Sequence, residues 1–145
     1  MAKEIEHKYL IISECYKELS ENTLFIKQGY LSKDPERVVR IRIIDTQAYI
    51  TIKSKNKGDT RNEFEYPIPV SEAEEMLKMC IGEPIMKRRW IVNYKGYKWE
   101  VDEFINKNSP TIAEIELKES GREYPLPPFI GAEVTGKKEY YNSNI

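Results

Sequence analysis

Glu4-Ile5-Glu6-His7-Lys8-Tyr9 alternates charged side chains with apolar or weakly polar ones. Successive residues of an extended chain point to opposite faces. Glu4, Glu6 and Lys8 therefore share one face, and Ile5, His7 and Tyr9 the other. The same spacing returns along the chain. Arg40 and Arg42 oppose Val39, Ile41 and Ile43, and Lys53 lies opposite Ile50 and Ile52. Glu63 and Glu65 alternate with Phe64 and Tyr66, and Lys87 and Arg89 with Arg88 and Trp90. Glu100 and Asp102 alternate with Trp99 and Val101, and Glu114 and Glu116 with Ala113, Ile115 and Leu117.

These runs predict strands near 3–12, 24–31, 37–44, 47–54, 61–68, 86–94, 96–103 and 111–118. Asn56-Lys57-Gly58-Asp59 and Asn93-Tyr94-Lys95-Gly96 read as turns, since Asn, Asp and Gly tolerate positive φ. Hairpins and antiparallel pairing follow, and no strand-helix-strand rhythm recurs. Ser71 to about Cys80 reads as a helix, with Ser71 and Glu74 as a capping box and Gly82 and Pro84 closing the segment. Its Ala73, Met76, Leu77 and Cys80 recur at helical spacing and are expected to pack outside the sheet. Shorter helices are expected around Ser13 to Leu19 and after Thr135. Tyr124-Pro125-Leu126-Pro127-Pro128 reads as an extended connection.

The 145 residues are expected to form one domain, 1–145, large enough for its own core. Forty percent of the residues are hydrophobic and 32% charged, which argues against a disordered or collagen-like chain. Lys and Arg number 23 against 24 Asp and Glu, so no global field attracts nucleic acid or an anionic membrane, and any polyanion site must be local. No apolar run approaches the ~20 residues of a membrane span, and Met1-Ala2-Lys3-Glu4 lacks the apolar stretch of a signal peptide, so a cytoplasmic location is expected. Cys15, Cys80 and a single histidine make a Cys/His zinc site improbable. Trp90, Trp99 and Tyr30 are expected to pack rather than stack on bases.

The charge pairs are sorted by sign. Like charges about 7 Å apart repel by roughly 0.6 kcal/mol in water, and by more between protein walls. Surface strands more often mix the signs. Counter-charges between the pairs would account for the sorting: a hard cation for the carboxylates and a polyanion for the bases. A magnesium or manganese triphosphate supplies both. Curling the sheet into a barrel of about eight strands would put this charged face inside.

Glu4-Ile5-Glu6-His7-Lys8 resembles the E-x-E-x-K signature that opens the CYTH superfamily, the triphosphate tunnel metalloenzymes. Further stations follow in the family's order: Gln28-Gly29-Tyr30-Leu31, Arg40-Ile41-Arg42, Thr51-Ile52-Lys53-Ser54, Arg61-Asn62-Glu63-Phe64-Glu65, Lys87-Arg88-Arg89, Glu100-Val101-Asp102 and Glu114-Ile115-Glu116. Glu133-Val134-Thr135 with Lys138 and Tyr140 is similar to its C-terminal segment, and the likeness to short bacterial members covers essentially the whole chain.

The resemblance implies a closed eight-stranded antiparallel tunnel with a few short helices. Lys8, Arg40, Arg42, Lys53, Lys87 and Arg89 would contact phosphates. Glu4, Glu6 and Glu116 would hold a first Mg2+ or Mn2+, with Asp102 and Glu114 candidates for a second or for its water shell. Glu63 and Glu65 are expected as salt-bridge partners lining the tunnel. His7, where related bacterial proteins often carry arginine, is expected to point away as a surface or packing residue. Lys138 could enter one end of the tunnel on a short helix, or Lys137 in its place. A homodimer also follows from the resemblance alone.

The expected reaction is hydrolysis of a triphosphate, foremost inorganic triphosphate, with charge neutralised as the terminal phosphoryl group leaves. Glu4 and Lys8, with Lys138, are the catalytic candidates, Glu4 for positioning water. No Ser, Cys or His stands as a persuasive nucleophile-base pair. Rival readings are a nucleoside triphosphatase, an adenylate cyclase, and a noncatalytic module binding polyphosphate or nucleotide. A cyclase would need an adenine-ribose pocket for which no long insertion is evident. The module would not need the acids at 4, 6, 114 and 116, which weaken polyanion binding unless a cation sits between.

Overall fold

Each alternating run becomes a strand. A computed structural model describes residues 3–145. In chain order they form β1 (Lys3–Ile11), α1 (Tyr16–Leu19), β2 (Asn22–Ser32), β3 (Val38–Ile44), β4 (Gln47–Lys53), β5 (Thr60–Ile68), α2 (Val70–Lys78), β6 (Ile85–Tyr94), β7 (Tyr97–Phe104), β8 (Ile112–Glu116) and β9 (Ile130–Glu133). Short 3-10 turns follow at Lys138–Tyr140 and Asn142–Asn144.

The strands run β5-β4-β3-β2-β6-β7-β8-β1, and β1 pairs back onto β5 from Lys3↔Asn62 to Ile5↔Thr60. Every pairing is antiparallel, so the sheet closes as an eight-stranded barrel. Closure removes the open edges and commits one face of every strand to the inside. β1 is shared: one edge follows β8, while the other meets β5 at its start and β9 at its end. There Val134 N–H donates to the Lys8 carbonyl (2.8 Å) and Lys8 N–H to Thr135 Oγ1 (3.0 Å). The ninth strand was not expected from the sequence, because its four residues, Ile-Gly-Ala-Glu, carry no alternation.

Turn chemistry fixes the hairpins. Lys95 and Gly96 take φ of 48° and 85° between paired Tyr94 and Tyr97, a two-residue reversal whose twist suits adjoining strands. The expected capping box at Ser71 is not formed: α2 starts at Val70 with Pro69 at its N-cap and no side-chain cap, which places Ser71 and Glu74 inside the helix. Proline's fixed φ opens the helix at that point. Ala73 and Leu77 of α2 are buried against Ile41 and Ala48. At Gly29 a Cβ would stand 2.8 Å from Cys80 Sγ, so glycine allows the end of the helix segment to lie directly on β2. Instead of a regular helix after Thr135, the chain makes two 3-10 turns.

The outward apolar face is a core in its own right. Tyr9, Trp99, Val101, Ala113 and Ile115 of the barrel meet Tyr16 of α1, Phe129 and Ile130. Burying a side chain such as Ile115 contributes about 1.5–3 kcal/mol. Trp90 packs on this cluster and Trp99 is fully buried in it. His7 also faces outward, bonded to Tyr124 Oη (2.6 Å) and Asp59 Oδ2 (2.8 Å). Tyr30 packs too, but inside: with Val38 and Ile85 it forms a buried cluster against Phe104 and Ile145.

Candidate active site

The inward face encloses a cavity of about 340 Å³, at the small end of the range for small-molecule sites. β1 lines it with Glu4, Glu6 and Lys8, β3 with Arg40 and Arg42, β4 with Lys53, β6 with Lys87 and Arg89, and β8 with Glu114 and Glu116. β1, β3, β6 and β8 each supply residues two apart, so the period of the pleat delivers the charges to one space.

The order of strands decides how these charges meet. Basic β6 lies beside acidic β7, so Asp102 sits between Lys87 Nζ (2.7 Å) and Arg89, which donates from Nε and Nη2 at 2.8 and 2.9 Å. Asp102 is 1% exposed. Burial opposes its charge, but Arg89 and then Lys87 hold its carboxyl far below the usual range. Burial, with Arg89 and Arg42, draws Lys87 down against the pull of Asp102. Basic β4 likewise adjoins acidic β5. Lys53 is 3.2 Å from Glu63, and Arg40 Nη2 is 3.4 Å from Glu65, which also accepts from Thr51 Oγ1 at 2.7 Å. Much of the compensation assigned to a ligand from sequence is therefore internal.

Two places are exceptions. β1, β8 and β7 set acid against acid, with Glu6↔Glu116 and Glu100↔Glu114 as register partners. Glu4, Glu6 and Glu116 each bring one carboxylate oxygen within 4.8 Å of the others. Glu4 also accepts from Lys53 Nζ (3.1 Å) and Arg61 Nε (3.3 Å). Glu116 lies at the solvent-facing end of the cavity, but the walls beside its carboxylate strip away part of its water, and this, then Glu4, Glu100, Glu6 and Glu63, pushes it up to about 7. Glu114 is raised by burial and Glu6, and stands 3.7 Å from Lys8. Burial opposes the charge of Lys8, but Glu114 and Glu6 raise its pKa.

The second exception is Arg42, a base without an acid. It has no ion-pair partner among the described residues, and its Nε donates to Gln28 Oε1 at 3.1 Å. Burial, Arg40 and Arg89 pull it down to about 10. Arg40 Nε is buried with no acceptor among the described residues, an arrangement that costs about 1–3 kcal/mol. Both guanidinium groups line the cavity.

Glu4, Glu6 and Glu116 thus come together as expected of a cation site, and their all-oxygen donor set fits a hard divalent cation. Asp102 stands apart from them in its pair with Lys87 and Arg89. Lys137 and Lys138 are exposed and outside the cavity lining; the C-terminal segment contributes Tyr141, Asn142 and Ser143 instead. Arg61 lines the cavity without having been singled out as a site residue, although it stands two before Glu63 and shares its face. No periodic signal marks Tyr141 or Asn142, which lie outside any strand.

Fold and lining define a closed antiparallel tunnel whose interior gathers basic and acidic side chains around one cavity. The sequence profile described as CYTH domain matches residues 2–144, and the chain belongs to that family. An inorganic triphosphatase of Acetivibrio thermocellus is 40% identical over 147 residues, spanning 100% of this chain and 94% of the relative. One from Nitrosomonas europaea is 31% identical, across 98% of this chain and 95% of its own length. The crystal structure of the inorganic triphosphatase NE1496 superposes with a TM-score of 0.67 at 27% identity, covering 99% of this chain and 94% of that one.

Proposed function

We propose that the protein hydrolyses inorganic triphosphate to pyrophosphate and phosphate with Mg2+ or Mn2+ held by Glu4, Glu6 and Glu116. The observation that carries this is the juxtaposition in one cavity of three converging carboxylates, of which only Glu116 has no basic partner among the described residues, with Arg42, which has no acid, and the unpartnered Nε of Arg40. The inorganic triphosphatases among its relatives support the substrate. When bound, the cation supplies Lewis-acid polarisation of phosphoryl oxygens and a template for water.

The chain's own residues do the rest. Arg42 takes phosphoryl oxygens directly, having no acid to give up, and Arg40 offers its unpartnered Nε while its Nη2 stays on Glu65. Lys8, Lys53, Lys87 and Arg89 are held extended by Glu114, Glu63 and Asp102 and present their remaining N–H donors to the substrate. Preorganised donors of this kind cost no reorganisation as charge moves to the leaving pyrophosphate. Glu4, braced by Lys53 and Arg61, is the carboxylate proposed to position the attacking water.

We assign the protein to the cytoplasm, where Cys15 and Cys80 persist as the free thiols seen here. No helix among the described residues is long and apolar enough to cross a membrane. Residues 1–145 are read as one domain. Exposed Ile52, Phe64 and Tyr66 on the outer face of β4 and β5 offer a surface for the proposed homodimer, which sedimentation would test.

The deciding assay measures products from inorganic triphosphate, ATP and pyrophosphate, with magnesium, manganese or chelator. Cation-dependent phosphate release from triphosphate is the expected result. Cyclic AMP from ATP would reassign the site as a cyclase, ADP from ATP alone would make it a nucleotidase, and binding undiminished by chelator without turnover would make it a binding module.

A further inference from the structure

The cavity has two ends of different character. At one, Leu24, Ile44, Lys98 and Glu116 line it, and Lys98 and Glu116 are exposed to solvent. At the other, residues 140–145 run across the barrel. The Tyr140 carbonyl accepts from Lys8 Nζ on β1 (3.4 Å). The Tyr141 ring lies 5.6 Å from Lys8 Nζ and 6.0 Å from the Arg61 guanidinium on β5, and its hydroxyl accepts from Asn56 (2.8 Å). Asn142 Oδ1 accepts from Lys87 Nζ on β6 (2.9 Å) and from Gln28 Nε2 on β2 (3.4 Å). Ile145 then packs on the cluster of Tyr30, Val38 and Ile85, whose neighbour Phe104 ends β7. A six-residue segment that touches β1 and β5 on one side of a closed ring and β2 and β6 on the other has to cross its mouth.

We propose that this strap makes the tunnel blind-ended, so that the protein accepts a linear polyphosphate only end-first, with an unesterified terminal phosphoryl group against Lys87 and Asn142. A terminal group has three non-bridging oxygens, and the wall offers N–H donors; the Asn142 Nδ2 has no protein acceptor among the described residues. An ester at that end would have to occupy the space filled by the Tyr141 ring and the apolar cluster. A chain esterified at one end still enters by its free end and leaves the ester at the open mouth. A chain esterified at both ends has no way in. The inference rests on the triphosphate reading of the site and adds a rule about chain ends.

Calorimetric titration of the full chain with inorganic triphosphate, ATP and diadenosine tetraphosphate tests it without requiring turnover. Triphosphate and ATP are expected to bind, and the doubly esterified chain at least about tenfold more weakly than ATP. Diadenosine tetraphosphate binding within about tenfold of ATP would overturn the inference, while phosphate release from triphosphate in the same preparation would leave the hydrolase reading standing. Triphosphate that binds without being cleaved would sink that reading and spare this one; triphosphate that fails to bind overturns both.

Ile145→Asp, which unseats the strap from its apolar anchor, is expected to narrow the gap between ATP and the doubly esterified chain. Tyr141→Ala, which opens the wall without touching that anchor, serves should the first variant not fold. A folded variant that keeps the full gap would show that something other than the strap excludes the second ester.

Discussion

Asp102 and Glu116 are both acids on the inner face of neighbouring strands, and the tunnel treats them in opposite ways. Asp102 lies between Lys87 and Arg89, fully buried and held ionised. Glu116 faces Glu6 across β1 and β8, and loss of water around its carboxylate, then the acids beside it, push it up to about 7. Alternation assigns the two to the same face and cannot tell them apart. One is a counterion belonging to the protein; the other is a carboxyl group set among acids, which the proposed function makes a cation ligand. A charged interior can thus be stable where opposite signs adjoin and receptive where they do not.

The comparison breaks most sharply at Asp102. Asp102→Asn leaves two buried cations without their shared partner and is expected to cost about 3–5 kcal/mol, read from urea unfolding. Unfolding at the wild-type midpoint would mean that Asp102 is no internal counterion. Glu116→Gln should leave folding stability nearly intact while weakening manganese binding in calorimetry by on the order of 100-fold. Unchanged affinity would remove Glu116 from the cation site.

Acidity gives the smallest effect. Glu116 has a folded-state pKa above its ordinary 4.5, so the folded protein binds the proton more tightly than the unfolded chain. The stability from that proton is complete below about 4.5 and is lost as pH rises towards 7. In chelator, stability should therefore decline across that interval by on the order of 1 kcal/mol after solvent screening. Glu116→Gln should flatten the decline, and a decline that persists in the variant would assign it to another group.

Much of this was legible in the alternating runs. Glu4, Glu6, Lys8, Arg40, Arg42, Lys53, Lys87, Arg89, Glu114 and Glu116 all line the cavity, as their two-residue spacing required. Arg61 was available to the same reasoning, standing two before Glu63. The capping box at Ser71 misled because a proline two residues earlier opened the helix first. Lys138, with Lys137 as the alternative, was named through the family resemblance, whereas a strap without a long helix has no periodicity to announce which side chains turn inward, and it presents Tyr141 and Asn142.

Sequence by itself determined which face of each strand carries charge, because the pleat sets side-chain direction within two residues. It determined closure only through family resemblance. The tertiary structure alone decided which acid meets which base, since strand order brings β6 to β7 and β1 to β8 across long stretches of chain. Local alternation carries no record of those neighbours. They make Asp102 a partner of Lys87 and Arg89, and leave Glu4, Glu6 and Glu116 facing one another.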